Sequence, residues 1–123
     1  MPTINDMTGL LERYMRACET RETERIVECF AADAVIEDPL RESVRGREEI
    51  GEYFDSVYAD LGDLKLEVSH LYWCRNAAAC RCIGHATRRD GTRITYEDID
   101  VLVIDEGLKI ARMSAYWDPK DFV

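Results

Sequence analysis

Leu64-Lys65-Leu66-Glu67-Val68-Ser69-His70 is the stretch on which the fold turns, because here the apolar period changes from 3.6 to 2. Leu64, Leu66, Val68 and His70 alternate with Lys65, Glu67 and Ser69, which predicts a long strand with one wetted face. Upstream the period is helical. Met7, Leu10, Leu11, Tyr14, Met15 and Cys18 form one stripe with Arg13, Arg16 and Glu19 opposite, and Asn5 or Asp6 is the expected N-cap. A second helix is expected over Thr23 to Phe30, with Ile26, Val27 and Phe30 turned inward. A third opens at Gly46-Arg47-Glu48-Glu49, where acidic residues suit the helix dipole, and carries Ile50, Tyr53, Phe54, Val57 and Leu61 on one stripe. Leu61-Gly62-Asp63 is read as its end.

Downstream, strands are expected over Ala77 to Arg88, Arg93 to Ile104 and Leu108 to Trp117. Asp90-Gly91 is a hairpin signal between the first two, and Asp105-Glu106-Gly107 turns the chain into the last. A short strand, Ala34 to Asp38, is stopped by Pro39, and Leu40 to Arg45 reads as a polar loop. Helix, helix, short strand, helix and a four-stranded antiparallel meander make an α+β fold with helices gathered on one side of a curved sheet.

The 123 residues fit one domain, residues 1–123. With 46% hydrophobic and 33% charged residues the composition is that of a globular chain. A formal charge of −9 argues against nucleic acid and anionic membranes as partners, since both require a basic face. No apolar run approaches the roughly 20 residues of a membrane span. Met1-Pro2-Thr3-Ile4-Asn5-Asp6 lacks the basic and apolar regions of a signal peptide, so a cytoplasmic location is expected. Five cysteines, an odd number, fit a reducing compartment. Cys80-x-Cys82 places two thiols on one strand face, but the Cys-x-x-Cys spacing of zinc sites is absent, so no metal is expected. Nucleotide, phosphate and nucleophile-elbow motifs are absent too, and no cofactor is expected.

Three polar residues fall where polarity is costly. Ile36 and Asp38 share a strand face, so an inward Ile36 sets Asp38 at the edge of an apolar space; otherwise Asp38 caps the Pro39 turn in water. Tyr14 lies within an apolar stripe, where a core tyrosine with a satisfied hydroxyl is the simpler reading. Asp100 is flanked by Ile99, Val101 and Leu102, either as a carboxyl with a raised pKa or as a strand-edge aspartate. On this strand Ile94, Tyr96, Asp98, Asp100, Leu102 and Ile104 share one face, and Thr95, Glu97, Ile99, Val101 and Val103 the other. Both faces are partly apolar, so a bulge or two-sided burial is expected.

The element order resembles the nuclear-transport-factor-2-like (SnoaL-like) cone fold. Within it the chain resembles ketosteroid isomerase from about Met7 to Trp117: Arg13-Tyr14, Ile26-Val27 to Phe30-Ala31-x-Asp33-Ala34, Val35-x-Glu37-Asp38-Pro39, Gly46 to Ile50, Ile99-Asp100 and Met113-x-Ala115-Tyr116-Trp117. The resemblance implies a cofactor-independent shift of a carbon–carbon double bond from β,γ to α,β of a 3-oxosteroid. Asp38 would be the proton-shuttling base, with Tyr14 and a neutral Asp100 as hydrogen-bond donors to the ketone oxygen. It further implies an apolar lining of Phe30, Phe54, Val57, Leu61, Val101, Met113 and Trp117, a small apolar ligand, and a homodimer formed through the open sheet face.

The chain departs from that family at two places. Phe30 and Phe54 stand where supporting tyrosines are usual, and Tyr53 is expected to point about 100° away. Asp98 adds a like charge beside Asp100. Two other functions fit the same resemblance. One is a polyketide cyclase, dehydratase or epoxide hydrolase using Asp38 and Asp100 with an inward Arg81 or His85. The other is a non-catalytic pocket for apolar ligands.

Overall fold

The computed structural model describes residues 2–121. Helix α1 (Ile4–Thr20) is followed by α2 (Thr23–Glu28), β1 (Phe30–Glu37), β2 (Val44–Arg45) and α3 (Gly46–Tyr58). Strands β3 (Leu61–Cys74), β4 (Ala77–Arg88), β5 (Arg93–Ile104) and β6 (Ile110–Tyr116) complete the sheet, before a 3₁₀ turn at Pro119–Asp121. The six strands lie in the order β2-β1-β6-β5-β4-β3. β3 to β6 form the expected antiparallel meander, while β1 joins β6 in parallel. The helices pack on one face of this curved, unclosed sheet, and no helix among the described residues is long and apolar enough to cross a membrane.

Element ends differ from the sequence reading for identifiable reasons. The N-cap of α1 is Thr3, not Asn5 or Asp6; Asp6 instead closes a capping box with it, each donating a backbone N–H to the other's side chain at 3.1 Å. Phe30 opens β1 and does not end α2. Its carbonyl accepts two hydrogen bonds from the Arg47 guanidinium, at 3.0 and 2.8 Å, which ties the start of β1 to α3. Val44–Arg45, expected to be loop, pairs with Val35 and Ile36. Leu61 begins β3 and does not extend α3. The expected Asp90-Gly91 hairpin is present, with Gly91 at φ +90°, where a side chain would be strained.

Packing explains why this fold retains an open interior. The inward face of β4 carries Ala78, Cys80, Cys82, Gly84 and Ala86, all buried and none larger than cysteine. The facing residues of β5 are long, and Tyr96 lies directly across the ladder from Gly84. A methyl group at position 84 would collide with the Cε1 and Cζ atoms of the Tyr96 ring. Gly84→Ala is therefore expected to cost about 1–3 kcal/mol by overpacking, read from urea denaturation. In a Tyr96→Ala background the same change should cost much less, and equal costs in both backgrounds would refute the contact.

Candidate active site

Asp38 sits one residue beyond β1, on the side of Ile36, which is completely buried. Both readings of Asp38 hold at once. Its Oδ1 accepts the Leu40 N–H at 2.9 Å in a turn around Pro39, and its Oδ2 accepts the Tyr53 O–H at 2.8 Å. Tyr53 thus turns toward the site, contrary to the expectation from helix rotation alone. Burial, and then the hydrogen bond to Asp38, push its phenol far above the ordinary range, so it stays a neutral donor. The Arg41 guanidinium lies 4.8 Å from the Tyr53 ring centroid, a cation–π contact at the mouth.

Tyr14 projects from the buried stripe of α1, with its ring edge-to-face against Phe30 and Phe54 at 5.7 and 6.2 Å between centroids. Its hydroxyl donates to Met113 Sδ at 3.3 Å. A thioether is a weak acceptor, so that proton is available to a better one. Desolvation holds the phenol well above its ordinary pKa, so Tyr14 too is a neutral donor. One turn along α1, burial pushes the Cys18 thiol up to about 12.

On β5 the register with β4 runs unbroken from Arg93 to Val103, and the irregularity expected of this strand falls at Val103/Ile104, in its ladder with β6. Asp98 and Asp100 consequently face inward together. Burial raises Asp98 to about 6. Asp100 is driven well above the ordinary carboxyl range, first by burial and then by the charge of Asp98. Burial and the neighbouring charge of Asp98 therefore favour the protonated form of Asp100. Asp98 Oδ1 is buried without a hydrogen-bond partner.

These groups line one cavity of about 280 Å³. Tyr14, Asp38 and Asp100 converge on it, with Phe54, Val57, Leu61, Met113 and Trp117 among the apolar walls. Two expected lining residues do not reach it. Phe30 is fully buried behind Tyr14 and Phe54, and Val101 lies on the opposite face of β5 from Asp100 and Leu102. Tyr53 and Asp98 line it too, as do Tyr58, Tyr96 and Arg41, which the sequence reading did not name as lining; the face of β5 shared with Asp100 could have supplied Tyr96. A second cavity of about 350 Å³, under α1, adjoins the first along Tyr14, Met15, Leu66 and Asp100. Arg81 and His85 point outward, Arg81 in an ion pair with Glu97 at 2.7 Å and His85 Nε2 3.5 Å from Glu67.

Chemically the cavity offers a carboxylate held by two donors, a phenol with a weak acceptor, and a buried carboxyl whose protonated form is favoured. It has the makings of acid–base chemistry on an apolar molecule.

The SnoaL-like domain profile matches residues 11–113. A steroid Δ-isomerase of Nocardioides simplex is 30% identical over 127 aligned positions, covering 96% of this chain and 94% of the relative. Among solved structures, SalBIII, described as an epoxide hydrolase/cyclase-like enzyme in pyran ring formation in the polyether salinomycin, is similar at a TM-score of 0.86. It is 25% identical, and the match covers 99% of this chain and 98% of that one. Rv0760c of Mycobacterium tuberculosis in complex with estradiol-17β-hemisuccinate shares the fold at a TM-score of 0.83 and 18% identity, over 96% of this chain and 98% of that one.

The carboxyl pair has a stability signature. Folding raises the pKa of both acids above the ordinary 3.8, so the folded chain holds protons that the unfolded chain releases. Their contribution is fully present below about pH 4. It declines as pH rises through about 6 and on through the higher value of Asp100. Asp100→Asn removes the part of this titration that belongs to Asp100. The fall in Tm between about pH 5 and about pH 8 should be smaller in that variant than in the parent, and parallel curves would refute the pairing.

Proposed function

This chain belongs to the SnoaL-like domain family, and we propose that it is a cofactor-independent isomerase moving a carbon–carbon double bond from β,γ to α,β of a 3-oxosteroid. The observation that carries this reading is the convergence of Tyr14, Asp38 and Asp100 on one apolar cavity. Asp38 removes the proton from the carbon between ketone and alkene and returns it two carbons further on. Meanwhile Tyr14 and the neutral Asp100 donate hydrogen bonds to the oxygen on which negative charge develops. Tyr53 and the Leu40 N–H hold Asp38 in place.

A β,γ-unsaturated 3-oxosteroid should gain the ultraviolet absorbance of a conjugated enone when the protein is added. Asp38→Asn should slow that gain by about 10²–10⁴-fold. No gain over buffer, or full activity in the variant, overturns the reading. A homodimer through the outer sheet face, where Ile99 and Tyr116 are exposed cross-strand neighbours, belongs to the same proposal.

One observation favours a second reading, ring closure of a hydroxy-epoxide. The Asp98–Asp100 pair lines the same cavity as Asp38 and holds a transferable proton, and SalBIII is the neighbour at 25% identity. Asp100 would protonate the epoxide oxygen while Asp38 takes the proton of the attacking hydroxyl. Asp100→Asn separates the two functions. An amide still donates a hydrogen bond to an enolate oxygen but cannot transfer a proton. Cyclisation should therefore vanish in that variant, whereas isomerisation should only slow.

A further inference from the structure

Beside the carboxyl pair the fold gathers groups that neither reaction uses. Cys80 and Cys82 share the inward face of β4, only 6% and 3% exposed, with their Sγ atoms 3.6 Å apart. Their direct partners across the ladder are Asp100 and Asp98, so two thiols and two carboxyls form a four-cornered cluster. Cys80 Sγ, Cys82 Sγ and a carboxylate oxygen of Asp100 lie within 4.8 Å of one another. The fourth corner contributes Asp98 Oδ1, a buried oxygen with no hydrogen-bond partner. The cluster is reachable from both sides: Cys82 and Asp98 line the first cavity, and Cys80 the second.

We propose that this cluster is a site for a soft divalent cation of the zinc and cadmium type, held by the Cys80 and Cys82 thiolates with Asp100 and Asp98. Two thiolates on tetrahedral zinc, each at about 2.3 Å, stand about 3.8 Å apart, close to the sulfur separation found here. Asp100 already has a carboxylate oxygen within 4.8 Å of both sulfurs, and Asp98, across the ladder from Cys82, adds a second carboxylate beside them. Paired sulfurs select against magnesium and calcium, which prefer all-oxygen shells. Thiols bind such a cation as thiolates, so their protons leave on binding. The spacing rule for zinc motifs misses this site because half its ligands come from the neighbouring strand.

One consequence rests on the isomerase reading. A bound cation takes the proton from Asp100 and removes a donor from the ketone oxygen, so the metal inhibits. Binding itself is read without turnover, which keeps the two ideas separable. The full chain, in a Cys74→Ala background that removes the exposed thiol, is titrated with Cd²⁺ under a non-thiol reductant. One equivalent per chain should produce an ultraviolet thiolate-to-metal band, and Co²⁺ should give visible bands of tetrahedral character. Cys80→Ala/Cys82→Ala should abolish both, and Asp98→Asn should weaken affinity by about tenfold or more. Should the double variant fail to fold, Cys82→Ser, nearly isosteric, is expected to lose most of the band. The proposal is overturned if no band forms at one equivalent, or if it persists undiminished in a folded variant lacking these thiols.

Discussion

The interior depends on one constraint: a twelve-residue strand whose inner face holds only alanine, glycine and cysteine. A sheet face packed under helices ordinarily fills its volume with branched aliphatics at close to crystalline density. Here the space above β4 is left to Tyr96, Asp98 and Asp100 reaching across from β5, and to the cavities themselves. The same row explains the acids. Opposite Asp100 and Asp98 stand only the thiols of Cys80 and Cys82, weak hydrogen-bonding groups, so burial leaves the two carboxyls with poor partners on that floor. Their environment is dry by construction and not by the closing of a lid.

Polar groups in the cavity fall into two ranks. Tyr53 and the Leu40 amide are committed to Asp38, whereas Tyr14 and Asp100 have weak partners. Committed donors hold a base in one orientation; loosely engaged ones are those a developing oxyanion could recruit without leaving a strong bond unmade. Phenylalanines at positions 30 and 54 do not leave Tyr14 isolated. They press on its ring from two sides while Met113 Sδ accepts from its hydroxyl.

Much of this was legible in the residue order. The change of period at Leu64, the stripe of α1 and the Asp90-Gly91 turn were enough for the α+β architecture, and strand alternation put Asp38 on the side of Ile36. What escaped had physical causes. Phe30 could be the end of a helix or the start of a strand, since a short apolar run carries no period of its own. Tyr53 was misjudged because rotation about α3 was considered without the position of Asp38, which lies beyond the strand end and beside the helix. β5 is apolar on both faces, which masked the unbroken register that turns Asp98 inward and Val101 outward. The pairing of Cys80 and Cys82 with acids on another strand was invisible to any linear spacing rule.

The parallel pairing of β1 with β6 has a consequence for how the site comes into being. Ile36 lies beside Met113, and Glu37 beside Ser114, across more than half the chain. Closing so long a loop costs entropy that only late, cooperative contacts recover. On a ribosome the segment bearing Asp38 would emerge early and meet β2 and α3 soon after, yet wait for nearly the last strand to gain its neighbour on the other edge. The meander with its carboxyl pair can zip locally, hairpin by hairpin. The base and its opposing acids thus belong to different stages of assembly, and the cavity between them exists only once the two ends of the chain have met.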